Sequence, residues 1–177
     1  CGDKAQRMMD GLLHYVRIMR NPAPCAPVAP HSLVRESLDA AHERMATTGA
    51  RAEVGPLPEV QANAAQLRLL FDALIDNALK FQPAGNAPRI MISAERTDDA
   101  WHFCVADNGI GLAPQFERRI FDLFQRLHGD EDYPGIGVGL AVAERIVERH
   151  GGTIWHGPRT PHGSEFHFTL RGEDGDA

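Results

Sequence analysis

Asn77 and Lys80 stand three residues apart, among apolar neighbours, in the helical stretch "LRLLFDALIDNALKF". On a helix the two share a face, so an amide oxygen and an ammonium converge on one anionic ligand or its metal ion. The same pair also fits the polar stripe of an amphipathic helix. A second cluster, "VADNGIGL", ends an apolar run at Asp107 and then turns through Asn108, Gly109 and Gly111. A carboxylate at a strand end can accept a hydrogen bond from an amino group on a flat ligand, and the glycines let the ring approach the backbone. Asn-Gly alone equally fits a tight hairpin turn. In "YPGIGVGLAV", Gly135, Gly137 and Gly139 alternate just before a helical pattern begins. Freed amides at a helix N-terminus suit phosphate oxygens. The spacing is neither the dinucleotide fingerprint nor a Walker A loop, and by itself it also fits a flexible loop.

The elements that must position these residues follow from periodicity. Met8, Met9, Leu12, Val16 and Met19 recur at helical spacing, predicting an amphipathic N-terminal helix. "NPAPCAPVAPHS" then reads as a stiff proline linker. Ser32 is the expected N-cap of a helix through "LVRESLDAAHERMAT", with Gly49 as its stop. A short strand at "RAEVG", a turn at "PLPEV" and the long helix "ANAAQLRLLFDALIDNALKFQ" come next, closed by Pro83. "RIMISAERT" and "WHFCVADN" flank a turn as strands, and "TIWHG" and "SEFHFTL" are later strands. Between these pairs lies the helix "VGLAVAERIVERHGG", with Val138, Ala141, Val142 and Ile146 inward. This order predicts an α+β fold: a two-layer α/β sandwich with helices on one face of a mixed, mostly antiparallel sheet, plus the N-terminal helix. A doubly wound parallel sheet is excluded, because 89–107 leaves no room for a helix between strands.

Composition narrows the function. The net charge of -6 and the lack of a basic cluster argue against a nucleic-acid partner. No apolar run reaches membrane-spanning length and no signal peptide is evident. Cys1, Cys25 and Cys104 are too scattered for a disulfide framework and lack zinc-type spacing. Cys104, in an apolar stretch, is expected to be a small buried hydrophobe. The expected compartment is cytoplasmic and reducing. A start at Cys1 is expected of a piece of a longer protein, whose membrane anchorage stays open.

Taken in order, these clusters and the intervening phenylalanines resemble the ATP-binding catalytic domain of bacterial sensor histidine kinases, within the wider ATPase family that includes gyrase, mismatch-repair proteins and a heat-shock chaperone. "LIDNALKF" is similar to the kinase N box, "DNGIG" to the G1 box, "IFDLFQRL" to the F box, "GIGVGLAV" to the G2 box and "HGSEF" to the terminal glycine box. The likeness spans about 32–170. "AQRMMDGLLHYVRI" is similar to the second helix of the dimerisation hairpin, and "ERHGG" and "FQRLH" resemble phytochrome-like sensor kinases. The resemblance implies the end of a dimerisation helix over 1–21, a linker over 22–31, the catalytic domain over 32–171 and a flexible tail over 172–177. It implies ATP and magnesium as cofactors. Asn77 would coordinate the magnesium and Lys80 would approach the phosphates. Asp107 would bond the adenine amino group, in a pocket shaped by Gly109 and Gly111 with Phe81 beside it. Phe121 and Phe124 would anchor a lid over 128–135. Gly135, Gly137 and Gly139, with Leu140, would line the triphosphate. The implied partners are the phosphoacceptor domain of the same protein, in a homodimer, and a response-regulator receiver domain.

The departures matter as much. The family's acceptor histidine sits in an H-Glu/Asp-x-x-x-Pro setting, and none of the nine histidines has one. "AHERMATTG" around His42 lacks the proline, and His14 reads as a solvated helix residue. His128 and His150 read as surface residues. His102, His156 and His167 lie in strands without ligand spacing. The acceptor is therefore expected upstream of this chain. Ala73, one turn before Asn77, stands where hydrolytic relatives place a water-activating glutamate and many kinases an asparagine. An alanine has no proton-accepting group, which favours phosphotransfer over hydrolysis and weakens one contact to metal or phosphate. Ile136 and Glu165 replace common threonines tolerably. The alternatives are a degenerate adaptor domain and a hydrolytic ATPase.

Overall fold

In the computed structural model, which describes residues 2–20, 24–123, 125–126 and 137–171, the elements follow the periodicities closely. They are α1 (Gly2–Arg20), β1 (Ala26–Val28), α2 (Pro30–Ala40), α3 (His42–Thr48), β2 (Arg51–Val54), β3 (Val60–Ala62), α4 (Ala64–Lys80), β4 (Arg89–Arg96), β5 (Ala100–Asp107), α5 (Gly139–Arg149), β6 (Ile154–Pro158) and β7 (Ser164–Arg171). Two single-turn 3-10 segments, Pro114–Phe116 and Arg119–Phe121, lie between β5 and α5. The main sheet has the order β2-β4-β5-β7-β6; only the β2–β4 pair is parallel. That is the expected mixed, mostly antiparallel sheet.

Helix α4 forms because Leu67, Leu70, Phe71 and Leu74 make one fully buried stripe, each side chain contributing about 1.5–3 kcal/mol on burial. Asn63 caps its start, accepting from the Gln66 N–H at 2.9 Å. The stripe meets Phe103 of β5 and Phe168 of β7, whose rings stack at 5.0 Å while Phe71 meets both edge-on. Helix α5 lies beside α4. Its Ala141, Val142, Ala143, Ile146 and Val147 are all buried.

Four readings need correction. The helix expected from Ser32 begins at Pro30, with Pro in the first turn and Ala29 as N-cap without a side-chain bond. Proline pre-sets the first-turn backbone and needs no N–H there, so the hydroxyl is not required. The same helix breaks at Ala41 into α2 and α3, and α3 ends at the left-handed Gly49 as expected. The stretch read as linker supplies β1, which pairs antiparallel with β3 (Val28 opposite Val60). A single proline is compatible with such an edge pairing, and the linker narrows to residues before Ala26. His150 is buried rather than exposed. Its Nδ1–H donates to Ile146 O at 2.7 Å and its Nε2 accepts from Asn63 N–H at 3.0 Å. The ring thus joins the end of α5 to the cap of α4. Among the described residues, no helix is long and apolar enough to cross a membrane.

Candidate functional site

β5 is the middle strand of the sheet, and it delivers Asp107 at its end between Ile90 of β4 and Ser164 of β7. The carboxylate is 5% exposed. Its Oδ1 accepts from Gly109 N–H at 2.8 Å and from Ser164 N–H at 3.3 Å. Among the described residues no donor reaches Oδ2. Burial pushes the Asp107 acid up to about 6, and the two backbone N–H bonds only partly offset it. A buried carboxylate with one open oxygen suits a neutral amino donor.

The loop after Asp107 is pressed onto the end of α4. Ile110 N–H donates to Phe81 O at 3.0 Å. A Cβ on Gly109 would overlap that same carbonyl oxygen, so the close approach requires glycine. Gly111 has φ +72° and packs on the backbone of Gly163. Asn108 does not enter the pocket. Its Oδ1 accepts from Arg89 N–H at 2.8 Å, and its Nδ2 donates to Ala87 O at 3.1 Å. Asn86 and the His162 ring in turn bond Asn108 O, at 3.2 and 3.0 Å. Asn86, Asn108, His162 and Ser164 therefore fix the loop, and sequence reasoning gave only Asn108 a role, as a turn residue. Only "HGSEF" marked the neighbourhood; a side chain that bonds distant backbone leaves no periodic trace.

The other end of the site lies about half the length of α4 away. Gly139, the first residue of α5, sits within van der Waals reach of Ala73. Among the described residues no side chain caps α5, and its first turn holds no acid, which leaves the start of the helix suited to an anion. Gly137 precedes it with φ +73°. Leu140 is half-buried against the core. Eight residues separate Ala73 from Phe81, about 12 Å of helix at ~1.5 Å per residue. Asn77 lies midway, one turn beyond Ala73 and half-buried. Among the described residues its side-chain amide makes no hydrogen bond, which leaves the oxygen for a hard cation of the magnesium kind. Lys80 Nζ lies 5.1 Å from the Phe81 ring centroid. Burial lowers its pKa, Asp76 opposes this, and Arg126 and Arg44 add to it.

Phe121, expected to anchor a lid, is buried and meets Phe166 edge-on at 6.3 Å, so its ring is part of the core. Phe124, Gly135 and the stretch expected to be the lid, with His128, lie outside the described residues. The structure thus brings Asp107, Gly109, Gly111 and Phe81 to one end of α4, and Gly139 to its middle.

The family pattern described as histidine kinase-, DNA gyrase B- and HSP90-like ATPase matches residues 62–174. Cyanobacterial phytochrome A of Nostoc sp. is 41% identical over 93% of this chain and 21% of its own length. The chain therefore spans about a fifth of that relative. The structure of full-length ShkA in complex with AMPPNP superposes with TM-score 0.78 and 29% identity, over 96% of this chain and 36% of that one. Mycobacterial sensor histidine kinase MprB gives TM-score 0.71 and 26% identity, over 84% of this chain and 97% of that one. On that family match and these likenesses, the chain belongs to the histidine kinase-, DNA gyrase B- and HSP90-like ATPase family, as a catalytic domain of the sensor histidine kinase kind.

Proposed function

We propose that this chain binds Mg-ATP along α4 and directs the γ-phosphoryl group to a histidine on a dimerisation helix outside the chain, for relay to a response-regulator aspartate. The observation that carries the reading is the buried Asp107 carboxylate, held on one oxygen and open on the other, at the end of a helix whose middle faces the start of α5. The nucleotide supplies the phosphoryl group and magnesium offsets its charge.

The remaining work falls to this chain's residues. Asp107 Oδ2 accepts from the adenine amino group, and Gly109 and Gly111 let the ring lie on backbone, with Phe81 at its side. Asn77 would offer its amide oxygen to magnesium. Lys80 swings from the Phe81 ring toward the phosphates. Gly135, Gly137, Gly139 and Leu140 present backbone at the triphosphate, and Phe121 with Phe124 roots the lid. Catalysis is then positioning and charge neutralisation, since the attacking imidazole comes from elsewhere. Ala73 puts no base near the γ-phosphate, so water is not activated.

Residues 1–21 are the end of the second dimerisation helix, which pairs in a homodimer. Their exposed Met9, Leu12, Leu13 and Val16 fit that role. The domain works in the cytoplasm. The test is Mg-ATP binding to the chain, then phosphate transfer to a separate hairpin carrying the acceptor histidine. Steady phosphate release without that hairpin would favour the hydrolytic alternative.

A further inference from the structure

The sheet face opposite the helices carries a second cluster of reactive side chains. Strand alternation turns His102 and Cys104 of β5 and Glu165 and His167 of β7 away from the core, and pairing sets Cys104 directly across from His167. Cys104, expected to be a buried hydrophobe, is instead only half-buried here. One donor atom each from Cys104, Glu165 and His167 lies within 4.8 Å of the others. His167 Nε2 and Glu165 Oε2 stand 3.2 Å apart. A tetrahedral ion with ~2.0–2.1 Å bonds holds neighbouring N and O ligands ~3.3–3.4 Å apart.

The hydrogen bonds behind His167 point the same way. His167 Nδ1 lies 3.0 Å from His102 Nε2, and His102 Nδ1 lies 3.0 Å from Glu95 Oε1. The line Glu95–His102–His167–Glu165 thus has three gaps, while two neutral imidazoles carry only two N–H protons. If His102 donates to Glu95 and His167 donates to His102, His167 Nε2 turns a bare lone pair toward the Glu165 carboxylate. A cation at that end would meet the lone pair and the carboxylate together. Cys104 stands there as well, a donor that suits a metal ion.

We propose that Cys104, Glu165 and His167 form a binding site for a zinc-class divalent cation on the outer face of the sheet, completed by one water. The thiol releases its proton to solvent as the sulfur–metal bond forms. His102, backed by Glu95, is a positioning residue that holds the His167 tautomer, as ligating histidines are commonly held. Trp155 lies nearly parallel to both imidazoles, with ring centroids at 5.4 Å. The ion would staple β5 to β7.

The site is independent of nucleotide binding, so the test leaves Asp107 and Asn77 untouched. The full chain with Cys1 and Cys25 changed to serine is titrated with Co2+, then with Zn2+ in competition. One equivalent of Co2+ should give the visible bands of a tetrahedral ion and a near-ultraviolet thiolate band, and Zn2+ should displace it. Millimolar Mg2+ should not, being a hard cation. Cys104→Ser should remove the thiolate band while Mg-ATP still binds, which shows that the variant is folded. His102→Ala should keep the band but weaken Zn2+ by about tenfold or more, with His102→Gln recovering part of the loss. Absence of a thiolate band, or one that survives Cys104→Ser, would overturn the proposal and leave the line bridged by a proton alone.

Discussion

Asp107 is costly to the fold and, in the function proposed, necessary to the site, and both halves can be measured. Its acid titrates at about 6 in the folded chain against an ordinary 3.8. Between about pH 4 and pH 6 the folded chain holds a proton that the unfolded chain has lost, so stability falls as pH rises through that window. The difference is on the order of 3 kcal/mol at ~1.36 kcal/mol per pH unit. Asp107→Asn keeps an acceptor for Gly109 and Ser164. It should raise the thermal midpoint of the nucleotide-free chain at pH 8, while weakening ATP by about a hundredfold in calorimetry, the loss of a charge-assisted bond. Asn77→Ala should change stability by no more than about 0.5 kcal/mol, as expected of a half-exposed polar site. Binding that no longer responds to magnesium would confirm its role. At Ala73, Ala73→Glu would set a carboxylate near the start of α5. Slow phosphate release by that variant, absent from the parent, would show that the alanine is what withholds water chemistry.

Among the elements, the loop that follows β5 is the most constrained. Gly109→Ala forces its methyl into Phe81 O. It should cost about 1–3 kcal/mol and abolish ATP binding even where the fold survives, as denaturant melts with parallel calorimetry would show. The two-stranded β1–β3 ribbon gives a second test. Deleting residues 1–24 should leave the domain folded, whereas deletion through Ala29 strips β1 from Val60, which is fully buried, and should lower the midpoint by several degrees. The elements that carry this site were legible because their patterns are local. Leu67 to Ala78 recur at three and four, and Arg89 to Asp107 alternates around a turn. β1 was not legible, because a proline-rich run gives no period and the partner that makes it a strand lies over thirty residues away. Nor was the burial of His150, since its two hydrogen bonds are tertiary.

For the whole molecule, α1 leaves Met9, Leu12, Leu13 and Val16 on the surface, while its end is tied to α5 by Arg149 Nη1 donating to Ile18 O at 2.7 Å. A helix joined to the catalytic unit at one end and carrying an exposed apolar face suits the proposed transmission between a paired hairpin and the ATP site. The ordered boxes made the nucleotide ends of the site readable, because each needs a specific residue type at a fixed spacing. The outer-face cluster escaped notice because Cys104, Glu165 and His167 come together only through strand register. The central claim is that this chain holds ATP for a histidine that it does not itself contain. The most direct measurement mixes the chain, γ-labelled ATP and magnesium, with and without a separate dimerisation hairpin bearing the acceptor histidine. The account predicts no label on the chain, negligible free phosphate, and label on the hairpin that Asp107→Asn abolishes. Label released as phosphate at a steady rate without the hairpin, or no magnesium-dependent binding at all, would contradict it.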